Sequence, residues 1–302
     1  MFLINLLIWG PKAVCAQSVG YLFTSFRGSG DGLHLAYSKD GYHWTDLNRT
    51  FLVPTVGSKL MRDPHILRAT NGVFHMVWTT GWRDNGIGYA ASTNLIDWSE
   101  QRYLAVMKDA AGTSNCWAPE TFFDRRSGQY LITWSSSVAG RFTESPSPDR
   151  MNNRTYVVTT RDFKMFSEPK VLLDPGFDHI DTTLIERNGK CIAVFKAGDT
   201  QARKKWGAIS AAVGETPLGP YKFDPMPIAV QRAEGPALIT IGGTTLMYVD
   251  YYTEHRYGAF ATTDWKTWKD ITSATSPVPG QRHGTIIAVP MTVIDALVTA
   301  GR

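Results

Sequence analysis

Three acidic residues sit at the start of three similar segments far apart in the chain. The segments are Arg62-Asp63-Pro64-His65-Ile66-Leu67, Ile180-Asp181-Thr182-Thr183-Leu184-Ile185 and Glu234-Gly235-Pro236-Ala237-Leu238-Ile239. Each carries its acidic residue at the first or second position and runs into an apolar strand. Two more segments have the same shape: Trp117-Ala118-Pro119-Glu120-Thr121-Phe122 and His283-Gly284-Thr285-Ile286-Ile287. If the five are equivalent strands around one axis, Asp63, Asp181 and Glu234 converge despite separations of 118 and 53 residues (181−63 and 234−181). Convergent carboxylates in a funnel suit glycosidic cleavage, which needs one base and one acid on opposite sides of the bond. Each residue alone has a plainer role. Asp-Pro is a common turn, and Asp181 could simply start a strand. Glu120 could pair locally, Trp117 could be core packing, and His283 could be a satisfied core imidazole. The coincidence of acids on matching strands is what favours the site.

The elements that would position these residues repeat five times. Each copy has a first apolar strand (Tyr21–Phe26, Phe74–Thr79, Tyr130–Ser135, Ile192–Ala197, Leu246–Tyr251). A second follows (Leu33–Ser38, Ile87–Ser92, Thr155–Thr160, Ala208–Val213, Tyr257–Thr262), and then an aromatic marks a short outer strand. Four copies end roughly Ser/Thr-x-Asp/Asn-x-x-x-Trp/Phe. The closing aromatics Trp44, Trp98, Phe166, Tyr221 and Trp268 lie 54, 68, 55 and 47 residues apart. A period of about 50 residues with several short strands per copy predicts an all-β, five-bladed β-propeller. The first copy lacks an inner strand and the His283 segment stands alone, so Gly284–Val289 is expected to pair with Tyr21–Phe26. The C-terminal strand then closes the first blade and no sheet edge stays open.

Length and composition agree with one repeat domain over 17–302, with no linker dividing it. A net charge of +4 without a basic run leaves no electrostatic footprint for nucleic acid. The apolar stretch Phe2–Trp9, the Gly10-Pro11 break and Val14-Cys15-Ala16 before Gln17 predict a signal peptide over 1–16 and an exported protein. That stretch is too short to span a membrane. Cys116 and Cys191 would then be buried thiols rather than a disulfide.

The five mouth segments together resemble glycoside hydrolase family 43, over about Tyr21 to Pro290. Asp63-Pro64-His65-Ile66 is similar to the family's base-bearing Asp-Pro-x-Ile, Asp181 to its auxiliary acid and Glu234 of Glu-Gly-Pro to its general acid. Trp117-Ala118-Pro119-Glu120 resembles its Trp-Ala-Pro-acid motif, with Glu in the usual Asp place. His283 matches its axial histidine. The resemblance implies an inverting, exo-acting enzyme that releases α-L-arabinofuranose or β-D-xylose, with an exo-β-galactosidase as the alternative in the same family. It implies Asp63 as base, Glu234 as acid and Asp181 as the residue that orients and tunes Glu234. Substrate contacts are expected from Trp117, Glu120, His283, Trp82 and Arg62, with Trp206 a further sugar-facing aromatic. No cofactor is required. A calcium ion is possible, held through water by His283. The expected partner is an oligosaccharide or polysaccharide, and the expected state a monomer. Two features depart from the family: about 40 residues of blade precede the base strand, and Glu120 replaces Asp. Arg62-Asp63-Pro64 also resembles the fructosidase and invertase families, but their Asn-Asp-Pro-Asn-Gly and Glu-Cys segments are missing. A carbohydrate-binding propeller without catalysis would not need three aligned acids. A protein-interaction propeller would carry Trp-Asp or kelch signatures, which are not found.

Overall fold

A computed structural model describes residues 18–143, 151–198, 208–224 and 232–300. The expected leader at 1–16 and Trp206 lie outside the described residues. The strands are β1 (Val19–Ser25), β2 (Leu33–Ser38), β3 (Thr45–Leu52), β4 (Arg62–Arg68), β5 (Phe74–Thr79), β6 (Ile87–Ser92), β7 (Arg102–Leu104), β8 (Trp117–Asp124), β9 (Gln129–Ser136) and β10 (Arg154–Thr160). They continue as β11 (Lys170–Leu173), β12 (His179–Arg187), β13 (Lys190–Ala197), β14 (Ala208–Gly214), β15 (Tyr221–Asp224), β16 (Glu234–Ile241), β17 (Thr244–Tyr251), β18 (Arg256–Thr262), β19 (Lys269–Asp270) and β20 (Ile286–Pro290). A helix, α1 (Met291–Ala300), follows.

These strands make five antiparallel four-stranded sheets: β20-β1-β2-β3, β4-β5-β6-β7, β8-β9-β10-β11, β12-β13-β14-β15 and β16-β17-β18-β19. The protein is a five-bladed propeller. Its ring closes as expected, because β20 joins β1 with Tyr21 opposite Ala288 and Phe23 opposite Ile286. The pairing extends to Phe26, whose carbonyl accepts from Arg282 N–H.

The repeated Ser/Thr-x-Asp/Asn pattern is the turn that carries four of the five blades to their outer strands. In the first blade Asp40 Oδ1 accepts from the N–H groups of Tyr42 and His43, while Ser38 Oγ accepts from Gly41 N–H. Asn94, Asp162 and Asp264 do the same in three other blades. The residue after the Asp or Asn of each turn is left-handed: Gly41 (φ 81°), Leu95 (64°), Phe163 (55°) and Trp265 (63°). Asx side chains compensate such a backbone by taking up its free N–H groups.

The core lies between blades. Phe23 of the first blade meets Trp44, Tyr248 and Tyr257 edge-on at 5.2, 5.6 and 5.3 Å. Leu22, Leu35, Met76, Trp78 and Ala90 join the first blade to the second. The helix α1 has no counterpart in the sequence reading. It inserts Ile294 and Leu297 into that same cluster and lies so close that a Cβ on Gly20 would sit 2.4 Å from Ile294 Cδ1. Cys116 and Cys191 are buried free thiols. Among the described residues no helix is long and apolar enough to cross a membrane.

Candidate active site

The inner strands β4, β8, β12 and β16 and the β20 segment bring their starts to one end of the channel. Each carries one extra residue at the same place. Between Arg62↔Thr79 and His65↔Val77, three steps on β4 oppose two on β5, and the same shift occurs at Trp117/Glu120, Ile180/Thr183 and Glu234/Ala237. In the fifth blade the Phe26↔Arg282 bridge and the Phe23↔Ile286 pair imply the same insertion. Such a bulge re-aims the side chain at the inserted position. Asp63, Ala118, Asp181 and Gly235 take it up with φ of 52°, 45°, 57° and 56°. Three of these four are not glycine, so backbone strain is concentrated at this end of the channel.

The bulges sort the side chains into three rungs. Arg62, Trp117, Ile180, Glu234 and Arg282 form the outer rung. Asp63, Ala118, Asp181, Gly235 and His283 form the middle one. His65, Glu120, Thr183, Ala237 and Thr285 form the inner one. Asp63 and Asp181 are therefore equivalent, as expected. Glu234 is one residue further out, and Gly235 occupies its expected rung. The vacancy serves His283: a Cβ on Gly235 would stand 2.4 Å from the His283 ring. Glu120 is the larger departure. It is buried on the inner rung, with His65 Nε2 3.5 Å from its Oε2, and does not stand at the mouth as a sugar contact.

Asp63 is held at both oxygens. His283 Nδ1 lies 3.2 Å from Oδ1, and the Thr79 hydroxyl donates to Oδ2 at 2.8 Å. Thr79 Oγ1 itself accepts from Ala118 N–H, which leaves its proton for Asp63. Burial works against ionisation of Asp63, but the His283 charge and hydrogen bond, Arg62 and Thr79 outweigh it and hold the pKa at about 2. Burial likewise opposes a charge on His283, yet Asp63, Asp181 and Glu234 raise it to about 10. Asp181 accepts from Gly235 N–H at 3.0 Å. Burial raises it to about 6, with the Glu234 charge adding and His283 and Lys196 opposing. Burial also carries Glu120 to about 8 against a hydrogen bond from Thr183. His65 is pushed down to about 3 by burial, so it is a neutral imidazole.

Glu234 is gripped by two cations, Lys196 Nζ at 2.8 Å on Oε2 and Arg282 Nη2 at 3.4 Å on Oε1. Arg282 Nε also donates to Asp250 at 2.7 Å. Lys196, Asp250 and Thr79 were missed in the sequence. Each stands near the end of the strand that pairs with an inner strand, opposite Ile180, Glu234 and Arg62 respectively. The available signal was a polar residue closing an apolar run, as in Ile192–Phe195 before Lys196 and Leu246–Val249 before Asp250. Trp82 is 53% exposed and stands perpendicular to Trp117, with ring centres 6.0 Å apart. Arg62 lies 4.5 Å from the Trp82 ring and 4.5 Å from Phe26.

Among the described residues no group of three or more His, Cys, Asp or Glu side chains is placed to hold a metal ion.

One ionised carboxylate, a second with a raised pKa and a third one rung nearer solvent form a centre for general acid–base chemistry on a ligand entering the channel. Known proteins agree with that class. An α-L-arabinofuranosidase of Bifidobacterium longum subsp. longum is 24% identical over 209 residues, which is 59% of this chain and 19% of that protein. The chain thus matches only about a fifth of its curated relative. The fold matches that of an α-L-arabinofuranosidase from Clostridium thermocellum with a TM-score of 0.58, at 14% identity over 89% of this chain and 94% of the other. An α-L-arabinofuranosidase from Lactobacillus brevis gives 0.55, at 19% identity over 72% and 73%. An exo-β-1,3-galactanase from Phanerochaete chrysosporium gives 0.53, at 11% over 73% and 52%. The family model described as a probable glycosyl hydrolase domain covers residues 17–295, and the chain belongs to this glycosyl hydrolase 43-related family.

Proposed function

We propose that the protein is an inverting, exo-acting glycosidase that releases terminal α-L-arabinofuranose or β-D-xylose from a plant-type glycan. The observation that carries this reading is the placement of Asp63 and Asp181 on one rung with Glu234 a rung outward. Asp63, ionised above about pH 2, takes the proton from a water that attacks the anomeric carbon. Thr79 and His283 fix the direction of its carboxylate. Glu234, in its protonated form, gives its proton to the leaving oxygen and is left as the carboxylate that Lys196 and Arg282 hold. A sugar oxygen arriving there competes with Lys196 and Arg282 for the same carboxyl. Asp181 holds Gly235 N–H, which anchors the backbone beside Glu234. Asp63 and Glu234 stand two blades apart, across the blade of His283. That favours inversion, where about 6.5–9.5 Å between carboxyls seats a water. Release of β-linked galactose is the second reading, supported by the galactanase among the fold neighbours.

Leaving-group dependence tests the assignment. A nitrophenol departs with little protonation, whereas a sugar alcohol needs it. Glu234→Gln is expected to lose far more kcat/KM on an oligosaccharide than on a nitrophenyl glycoside. Asp63→Asn is expected to lose about 10²–10⁴-fold on both. Near wild-type rates for Asp63→Asn would remove the base and the mechanism with it. A panel of aryl arabinofuranosides, xylosides and galactosides separates the two substrate readings.

A further inference from the structure

We infer that the channel mouth takes an acidic glycan, with a uronic-acid carboxylate on the Arg62 guanidinium and the sugar ring against Trp82 and Trp117. This deepens the glycosidase reading and rests on it. The uronic acid is a unit of the glycan that carries the scissile sugar, not the sugar released.

The motive is a charge imbalance among the mouth cations. His283 has Asp63, Lys196 has Glu234, and Arg282 has both Glu234 and Asp250. Arg62 has no such partner among the described residues. Asp63, its neighbour in the chain, has its two oxygens taken by His283 and Thr79 and reaches Arg62 only through space. Arg62 is nonetheless preorganised, because its guanidinium lies against Phe26 and Trp82, each ring centre 4.5 Å away. A guanidinium with its plane against aromatic rings keeps its edge N–H donors for a ligand. That edge matches a planar carboxylate bidentately. Partial withdrawal of the cation from water also favours a ligand that brings the opposite charge.

The platform beside Arg62 fits a sugar. Trp82 is more than half exposed, and Trp117 stands perpendicular to it. The Trp117 indole N–H donates to the Trp82 carbonyl at 3.2 Å, which fixes the Trp117 ring against the loop between β5 and β6 that carries Trp82. An aromatic face beside a cation reads both features of a uronic acid, its apolar ring face and its carboxylate.

The test is calorimetric binding of two arabinoxylo-oligosaccharides to the full chain, identical except for one glucuronic acid branch. Alongside it, kcat/KM is measured on the same pair. Wild type is expected to favour the acidic glycan by about 10-fold or more, as for a charge-assisted pair. In Arg62→Met the ratio of the two affinities should fall to near one, whatever happens to either alone. Equal affinities in wild type, or a ratio unchanged in Arg62→Met, would overturn the inference. If Arg62→Met does not fold, inhibition of wild type by free glucuronate against glucose decides. Stronger inhibition by glucuronate that fades with added salt supports the inference, and equal inhibition overturns it. Failure of the glycosidase reading looks different, because neither oligosaccharide nor any aryl glycoside would then be hydrolysed while the binding ratio still reports on Arg62.

Discussion

Glu120 and Asp63 illustrate how one channel sets two carboxyl groups apart. Both lose water on folding, but Asp63 gains an imidazolium and a hydroxyl donor, while Glu120 faces a neutral imidazole. One is therefore ionised and the other protonated at neutral pH. The Glu120 shift has a sign for stability. Its pKa is 4.5 unfolded and about 8 folded, so the folded state binds the extra proton between those values. Its stabilising contribution is complete below pH 4.5 and is lost as pH rises through 8. Glu120→Gln keeps the neutral shape and removes the proton linkage. The variant should match wild type at pH 4.5 and exceed it increasingly up to pH 8, by on the order of a few kcal/mol. Denaturant midpoints at the two pH values measure this. A constant difference between the two proteins would place Glu120 in water or in an ion pair.

At the scale of the strand, the repeated bulge is the device that builds the site. It inserts one residue into each inner strand and turns that residue toward the channel, so one register shift places Asp63, Asp181 and His283 on a common rung. Gly235 is where the device needs a missing side chain: Asp63, Ala118 and Asp181 carry a Cβ at the same backbone angle, but at Gly235 the 2.4 Å approach of His283 leaves no room for one. Gly235→Ala should displace His283 from Asp63 and strain the backbone beside Glu234. The expected outcome is a fall in kcat of at least 10²-fold with a modest loss of stability, about 1–3 kcal/mol. Activity on an aryl glycoside and thermal unfolding, read together, check it. Retention of wild-type kcat would show that the His283 ring can move without consequence.

At the scale of the whole molecule, the ring is held by its last strand. Removing residues 286–302 takes away β20 and leaves the first blade without its inner strand, although Arg282 and His283 remain in the chain. Cooperative unfolding is expected to be lost, along with activity. Ending the chain at Pro290 is milder. It removes Ile294 and Leu297 from the cluster between the first two blades and should cost about 3–6 kcal/mol, with the active-site residues untouched. Melting curves of the two truncations distinguish them. Equal stability of the first truncation and wild type would mean that β20 does not close the ring.

The sequence by itself determined the blade count, the strand order, the closure and the end of the channel where chemistry gathers. Those properties follow from local signals: the alternation of strands, the Asx turns of Asp40, Asn94, Asp162 and Asp264, and polar residues at repeated strand starts. Tertiary structure decided the rest. The rung of Glu234 and the depth of Glu120 depend on an inserted residue, which shifts register without a mark in the residue types. The partners Thr79, Lys196 and Asp250 lie on neighbouring strands or blades, 16 to 38 residues from the groups they hold. A side-chain contact at that separation is fixed by the closing of the ring. The charge states at the mouth follow from those same contacts, because burial alone would have left Asp63 protonated more readily than water does. The helix α1 escaped the sequence reading because it stands outside the repeat, and its apolar face has meaning only against the first two blades.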